Sequence, residues 1–295
     1  MNRTARTALA VVVAVAVLFG IGIAIAARND HGAKRPRVAP SPRTGTSVST
    51  TTRPTPPPRP LPPRVAGYFT MLPPGSPMPS DATCAARVHR STWEPVPENR
   101  VANHTVAPNP NTLGDFSQWT PTWNAAYKPR ITGGFTGTTD EIIQWVACKW
   151  GWSDNLVRAE AFVESHWRQA VGPKFGFGDY SSDPSLCTYD HTPSCPTSFG
   201  IMQVKWHFHP AGYASNSPQS SYPWITRSTA YNLDLQVAEM RGCYDGMSTY
   251  LGNTTGDVWG CLQDWFSGSW TPGGGPYSAE VQVAMTTEPW RDWVG

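Results

Sequence analysis

Between Ala27 and about Ser80 the chain offers almost nothing that could be buried, and this tract decides which part of the sequence can fold. It is built from Pro, Thr, Ser, Arg and Gly, as in Thr51-Thr52-Arg53-Pro54-Thr55-Pro56-Pro57-Pro58-Arg59-Pro60. Proline lacks a backbone N–H and holds the chain extended, and so little apolar surface cannot offset the entropy of folding. At about 3.1 Å per residue, roughly 50 such residues reach on the order of 150 Å when fully extended, the dimension of a tether. All six cysteines (Cys84, Cys148, Cys187, Cys195, Cys243, Cys261) lie beyond the tract. An even number confined to one region suits three disulfides formed in an oxidising compartment.

Residues 8–27 carry no charge and are long enough to span a bilayer as one helix. Arg3 and Arg6 precede them, and Ala24-Ile25-Ala26 fits the small-residue pattern of a signal-peptide cleavage site. The length of the run favours an uncleaved anchor, with residues 1–7 left in the cytoplasm and residues 28–80 as linker. Arg28, Lys34, Arg35, Arg37 and Arg43 stand on the wrong side for that orientation. The cysteines and the Pro-rich spacer outweigh them, so the body is expected outside the membrane, anchored, or secreted if the leader is cleaved. The formal charge of +2 arises from leader and linker rather than from a basic face, which argues against nucleic acid as a partner.

Residues 81–130 hold Cys84, Trp93, Trp119 and Trp123 among many Asn and Pro, and read as irregular chain wrapped on a main domain at 131–295. Cys84 to Cys148 is one plausible staple of the 15 pairings that six cysteines allow. Thr138 and Glu141 form a capping-box pattern ahead of Ile142, Ile143, Val146, Ala147 and Trp150, which predicts a helix over 139–150 that Gly151 stops. Ser153 or Asp154 opens a second, with Leu156, Ala159, Phe162, Val163 and Trp167 at helical spacing. Residues 171–197 read as loop, in which Cys187 and Cys195 could close a small ring. Further helices are expected over 228–251, 257–266 and 279–285. The fold class is therefore mostly α, an α+β arrangement with a small β and loop lobe, stapled by disulfides and monomeric.

Glu164 lies in the last turns of the second helix, among Phe162, Val163 and Trp167. An ordinary helix glutamate is solvated and ionised, whereas desolvation raises a carboxyl's pKa and provides an acid that is still protonated near neutral pH. Glu160, one turn earlier, is the rival acid. His207 and His209 lack a convincing third ligand, so no metal site is expected, and nothing in the sequence calls for a cofactor.

Glu164-Ser165-His166, together with Phe199-Gly200-Ile201-Met202-Gln203-Val204, resembles the goose-type lysozyme and soluble lytic transglycosylase families. The resemblance covers about residues 138–270 and implies a lysozyme-like fold that cleaves β-1,4 bonds of peptidoglycan. It implies Glu164 as acid/base, with Ser165, Gly200, Met202 and Gln203 in the cleft. Ala230-Tyr231-Asn232-Leu233 is similar to a further family segment and implies a site role for Asn232. Asp264-Trp265-Phe266-Ser267-Gly268 matches the family's tyrosine-bearing segment only loosely, with Trp265 in the tyrosine's place. Trp206 is a second candidate platform for a sugar ring, since aromatic faces bind at low entropic cost. Asp179 resembles a goose-type carboxylate, while Lys205 stands where that family has an Asp. The departure weakens simple hydrolysis, which needs a second carboxylate. Transglycosylation needs only one. Two other classes remain open on sequence alone: a non-catalytic wall-glycan-binding module, and cleavage of another extracellular polysaccharide.

Overall fold

The computed structural model describes residues 67–108, 115–169, 179–183, 194–205 and 221–293. The expected membrane anchor, most of the linker, Cys187, Trp206, His207 and His209 lie outside the described residues. Among the described residues, no helix is long and apolar enough to cross a membrane.

The fold is mostly α with a small β component. Short helices α1 (Asp81–Arg87), α2 (Arg100–Asn103) and α3 (Pro121–Ala126) precede α4 (Thr139–Lys149) and α5 (Asp154–Ser165). Two antiparallel ribbons follow, β1 (Tyr180–Ser181) with β2 (Cys195–Pro196) and β3 (Ser198–Phe199) with β4 (Val204–Lys205). The chain then runs through α6 (Ser221–Arg227), α7 (Thr229–Tyr244), α8 (Val258–Ser267) and α9 (Pro276–Thr287).

Every residue of α7 is buried, so this helix is the axis on which the others are laid. Its polar residues are therefore tied to neighbours, because a buried polar group without a partner is costly. Asp234 accepts from Lys149 Nζ at 2.7 Å and from Trp150 Nε1 at 2.6 Å, and also from the backbone N–H of Thr132 and Gly133. That cluster fastens α4 to α7. Arg158 fastens α5 to α4, donating to Asp140 at 2.7 Å and to Asp154 at 2.6 Å. Two disulfides add covalent ties, Cys84–Cys148 between α1 and α4 and Cys243–Cys261 between α7 and α8. The first is the staple expected from sequence. Cys195 is also disulfide-bonded.

The capping box of α4 forms as its sequence predicts, Thr138 Oγ1 accepting from the Glu141 N–H while the Glu141 carboxylate accepts from the Thr138 N–H. Ser153 caps α5. Four expectations change. Residues 67–80, expected as the end of the linker, are held on the body: Asp154 accepts from the N–H of Tyr68 and Phe69, and Arg241 donates to the carbonyls of Leu72 and Pro73. Residues 81–130 are not wholly irregular, since α1, α2 and α3 lie there, each too short to show a hydrophobic period. The helix expected to end near Leu251 stops at Tyr244, where Gly246 takes a φ of +73°. The last helix is longer than expected, starting at Pro276 behind Gly273-Gly274-Gly275.

Candidate active site

The last turn of α5 delivers Glu164 to the wall of a cavity of about 1170 Å³. The helix ends immediately after it, with His166 at φ +53° and Trp167 at φ +61°, both left-handed without being glycine. Such strain persists only where surrounding structure over-determines it. Trp167 supplies that determination: it is fully buried, packs beside Trp93, Trp290 and Trp293, and donates its indole N–H to the Arg158 carbonyl at 2.9 Å. The carboxyl of Glu164 is thereby fixed at a helix end rather than free along a helix face.

The β3–β4 hairpin makes the adjoining wall, and three buried side chains hold its turn. Asn232 accepts from the Met202 N–H at 2.9 Å and donates to the carbonyls of Phe199 and Ile225 at 2.8 and 2.9 Å. Ser165 donates to the Ile201 carbonyl at 2.8 Å, and Gln169 accepts from the Ile201 N–H at 3.1 Å. Gly200 has a φ of +77°, and a Cβ there would lie 2.1 Å from Asn232 Nδ2. The glycine is thus required both by its backbone and by the close approach of α7.

Expected site residues separate into two groups. Glu164, Gln203, Trp265 and Asp179 line the cavity together. Ser165, Met202 and Asn232 are fully buried, and with Gly200 they stand behind the wall rather than in it. In the fold they support the wall: Ser165 and Asn232 side chains and the Met202 N–H hold the hairpin turn and α6. Ser165 does not bond Glu164; it joins the Glu164 helix to the Gly200–Gln203 turn. Trp206 lies outside the described residues.

Tyr277, in the first turn of α9, is a site residue that sequence reasoning misses. Its hydroxyl donates to Glu164 Oε1, and its ring stacks on Phe266 with centroids 4.8 Å apart. Trp265 lines the cavity with Glu164 and favours its ionised form, so the place expected for Trp265 is shared with a tyrosine from another helix. Pro276 after three glycines marks a helix start, but nothing in the sequence orients its second residue toward Glu164.

Desolvation by the surrounding protein raises the Glu164 carboxyl to about 7, with a smaller push from Asp179, while the Tyr277 hydroxyl, Lys205 and Trp265 pull it down. Such an acid is half protonated near neutral pH and can both give and take a proton. Glu160 is fully buried, does not line the cavity and is also raised, by burial first and then by the charge of Glu164. It is no rival for contact with a ligand. Asp179 is paired with Lys205 Nζ at 3.0 Å and accepts from Ser198 Oγ at 3.1 Å. The lysine that departs from the goose-type pattern therefore occupies the candidate second carboxylate. Across the cavity, Tyr250 donates to Asp264 at 2.9 Å, beside Glu239 and Trp119.

Among the described residues no cluster of His, Cys, Asp and Glu has the form of a metal site. No family model, curated protein or solved structure matches the chain.

Proposed function

We propose that this protein cleaves β-1,4-glycosidic bonds of peptidoglycan in the manner of a lytic transglycosylase of the lysozyme-like superfamily, outside the cytoplasm, with Glu164 as acid and base. One observation carries the reading: a carboxyl of pKa about 7, at a helix end, in the wall of a large cavity, with a tyrosine hydroxyl donating to it and Trp265 lining the same cavity. Protonated Glu164 gives its proton to the leaving glycosidic oxygen as that bond to C1 breaks. The resulting carboxylate takes the proton of the same sugar's 6-hydroxyl as O6 bonds to C1, which closes an anhydro ring. The carboxylate so formed is met by the hydrogen bond of the Tyr277 hydroxyl. The pairing of Asp179 with Lys205 favours this route over hydrolysis, since the ammonium and the Ser198 hydroxyl compete with a water for the carboxylate oxygens. Trp265 and Phe266 at the cavity offer faces on which sugar rings can stack.

The test is digestion of purified peptidoglycan followed by mass spectrometry of the fragments. Anhydro ends, lighter by one water than hydrolysed ends, are expected. Replacing Glu164 with Gln is expected to keep the fold and lower cleavage by at least about a hundredfold, the scale of general acid–base catalysis. Full cleavage by that variant overturns the assignment, while binding of peptidoglycan by the wild type with no product favours a non-catalytic glycan-binding module.

A further inference from the structure

Glu160 has two carboxyl oxygens and one hydrogen-bond partner. It is fully buried on α5, one turn before Glu164, and Gln236 Nε2 donates to its Oε1 at 2.6 Å. Its Oε2 has no partner. Gln236, equally buried on α7, has the complementary defect: its Nε2 is used and its Oε1 has no partner. Two acceptors are thus left over on two groups that already share one hydrogen bond.

A single proton removes both defects. On Oε2 it turns an acceptor into a donor whose natural acceptor is Gln236 Oε1, so that carboxylic acid and amide close into a ring of two hydrogen bonds. An ionised Glu160 would keep both defects and add a charge in the dry interior with one hydrogen bond to support it. The titratable groups that act on it are acids, Glu164 on its own helix and Tyr277 from α9, while α7 presents the neutral Gln236. The guanidinium of Arg158, two residues away, is taken by Asp140 and Asp154.

We propose that Glu160 and Gln236 form a neutral acid–amide pair, closed by one buried proton, which acts as a positioning element behind Glu164 and leaves Glu164 to titrate alone. Burial pushing the Glu160 carboxyl well above its usual range agrees with this. Two carboxyls one turn apart would otherwise exchange protons in coupled steps, and the cavity acid would lose its defined protonation state. The pair itself stands apart from any activity; its bearing on the pH response rests on the reading of Glu164 as the acid.

Infrared spectroscopy of the full chain at pH 8.5, where Glu164 is ionised, tests the pair directly. Subtracting the spectrum of Glu160→Gln from that of the wild type is expected to leave a carboxylic-acid carbonyl band. A carboxylate band in its place overturns the proposal. The amide introduced by Glu160→Gln reproduces the donor and acceptor of a protonated Glu160, so the variant is expected to melt as the wild type does, and failure to fold also counts against the pair. In cleavage assays, the midpoint of the alkaline limb is expected to stay in place in Glu160→Gln. In Gln236→Glu, a second ionisable carboxyl beside Glu160, one turn from Glu164, is expected to raise it by about one pH unit. A lower midpoint in Glu160→Gln means that Glu160 carries charge in the wild type and refutes the pair. If no preparation cleaves, the functional reading fails, and the infrared band still decides whether the pair exists.

Discussion

A carboxyl kept protonated by its surroundings destabilises the fold once it must ionise, so replacing Glu164 with Gln should make the protein more stable, by an amount set by pH. In the unfolded chain Glu164 titrates near 4.5, and in the fold near 7. Below pH 4.5 the proton is present in both states and the group costs nothing. As pH rises from 4.5 toward 7 the unfolded chain releases its proton first, the native state binds more protons than the unfolded state, and stability falls. Above pH 7 the loss is complete, and at about 1.36 kcal/mol for each pKa unit it amounts to roughly 3 kcal/mol. Glutamine does not titrate, and at low pH it resembles the protonated acid in shape and in hydrogen-bonding groups. The variant should therefore match the wild type at pH 4 and exceed it by about 3 kcal/mol at pH 8.5, or roughly 6–12 °C in melting temperature for a body of this size. Denaturant unfolding of both proteins from pH 4 to 9 measures the difference. An offset that does not vary with pH would refute the reasoning, since it would reflect altered packing rather than the proton.

Four further outcomes are open to measurement. Tyr277→Phe removes a hydrogen bond that favours ionised Glu164, so the carboxyl's pKa should rise and the alkaline limb of the pH–rate profile move upward; a downward move would contradict the bond's role. Gly200→Ala forces a Cβ to within 2.1 Å of Asn232 Nδ2 at a φ of +77°, and should cost about 3 kcal/mol in unfolding experiments through strain and broken hairpin hydrogen bonds. Replacing Cys243 and Cys261 with Ser opens a loop of 18-residue separation and should cost about 3 kcal/mol, read by denaturant titration of the oxidised wild type against the variant. Lys205→Ala releases Asp179 and withdraws a cation from Glu164, so the alkaline limb should rise, and any hydrolysed product ends seen by mass spectrometry should increase relative to anhydro ends.

What can be read from the sequence is local. The capping box at Thr138, the cap at Ser153 and the apolar spacing of α4 and α5 each involve residues within a few positions of one another, and each stands in the fold. Glu164 does lie in the last turn of α5, beside the half-buried Phe162 and Val163 and the buried Trp167, because helical spacing alone places it on the face it occupies. The features that escape such a reading depend on distance or brevity. The helices α1, α2 and α3 are too short to display a period, and the segment 67–80 is held by Asp154 and Arg241, far along the chain. Ser165, Gly200, Met202 and Asn232 belong together in the resemblance, but their pattern does not reveal that they face one another behind the wall instead of facing the cavity. Tyr277 lies 113 positions from Glu164, and no local signal connects them.

The same helix carries three acids whose fates differ for reasons visible in their partners. Asp154, at the start of α5, meets the guanidinium of Arg158 and the N–H of Tyr68 and Phe69, so its negative charge is matched by a cation and two backbone donors. Glu160 meets one amide and no cation, and a charge there would be unsupported. Glu164 lies between these cases: burial opposes its ionisation, while Tyr277, Trp265 and Lys205 favour it. Only this intermediate balance gives a group that is stable with or without its proton near neutral pH, and of the three acids only Glu164 lines the cavity. Shifting the balance either way, by adding a donor or by removing the hydroxyl of Tyr277, would move the pH range in which the carboxyl can act as acid and base in turn away from neutrality.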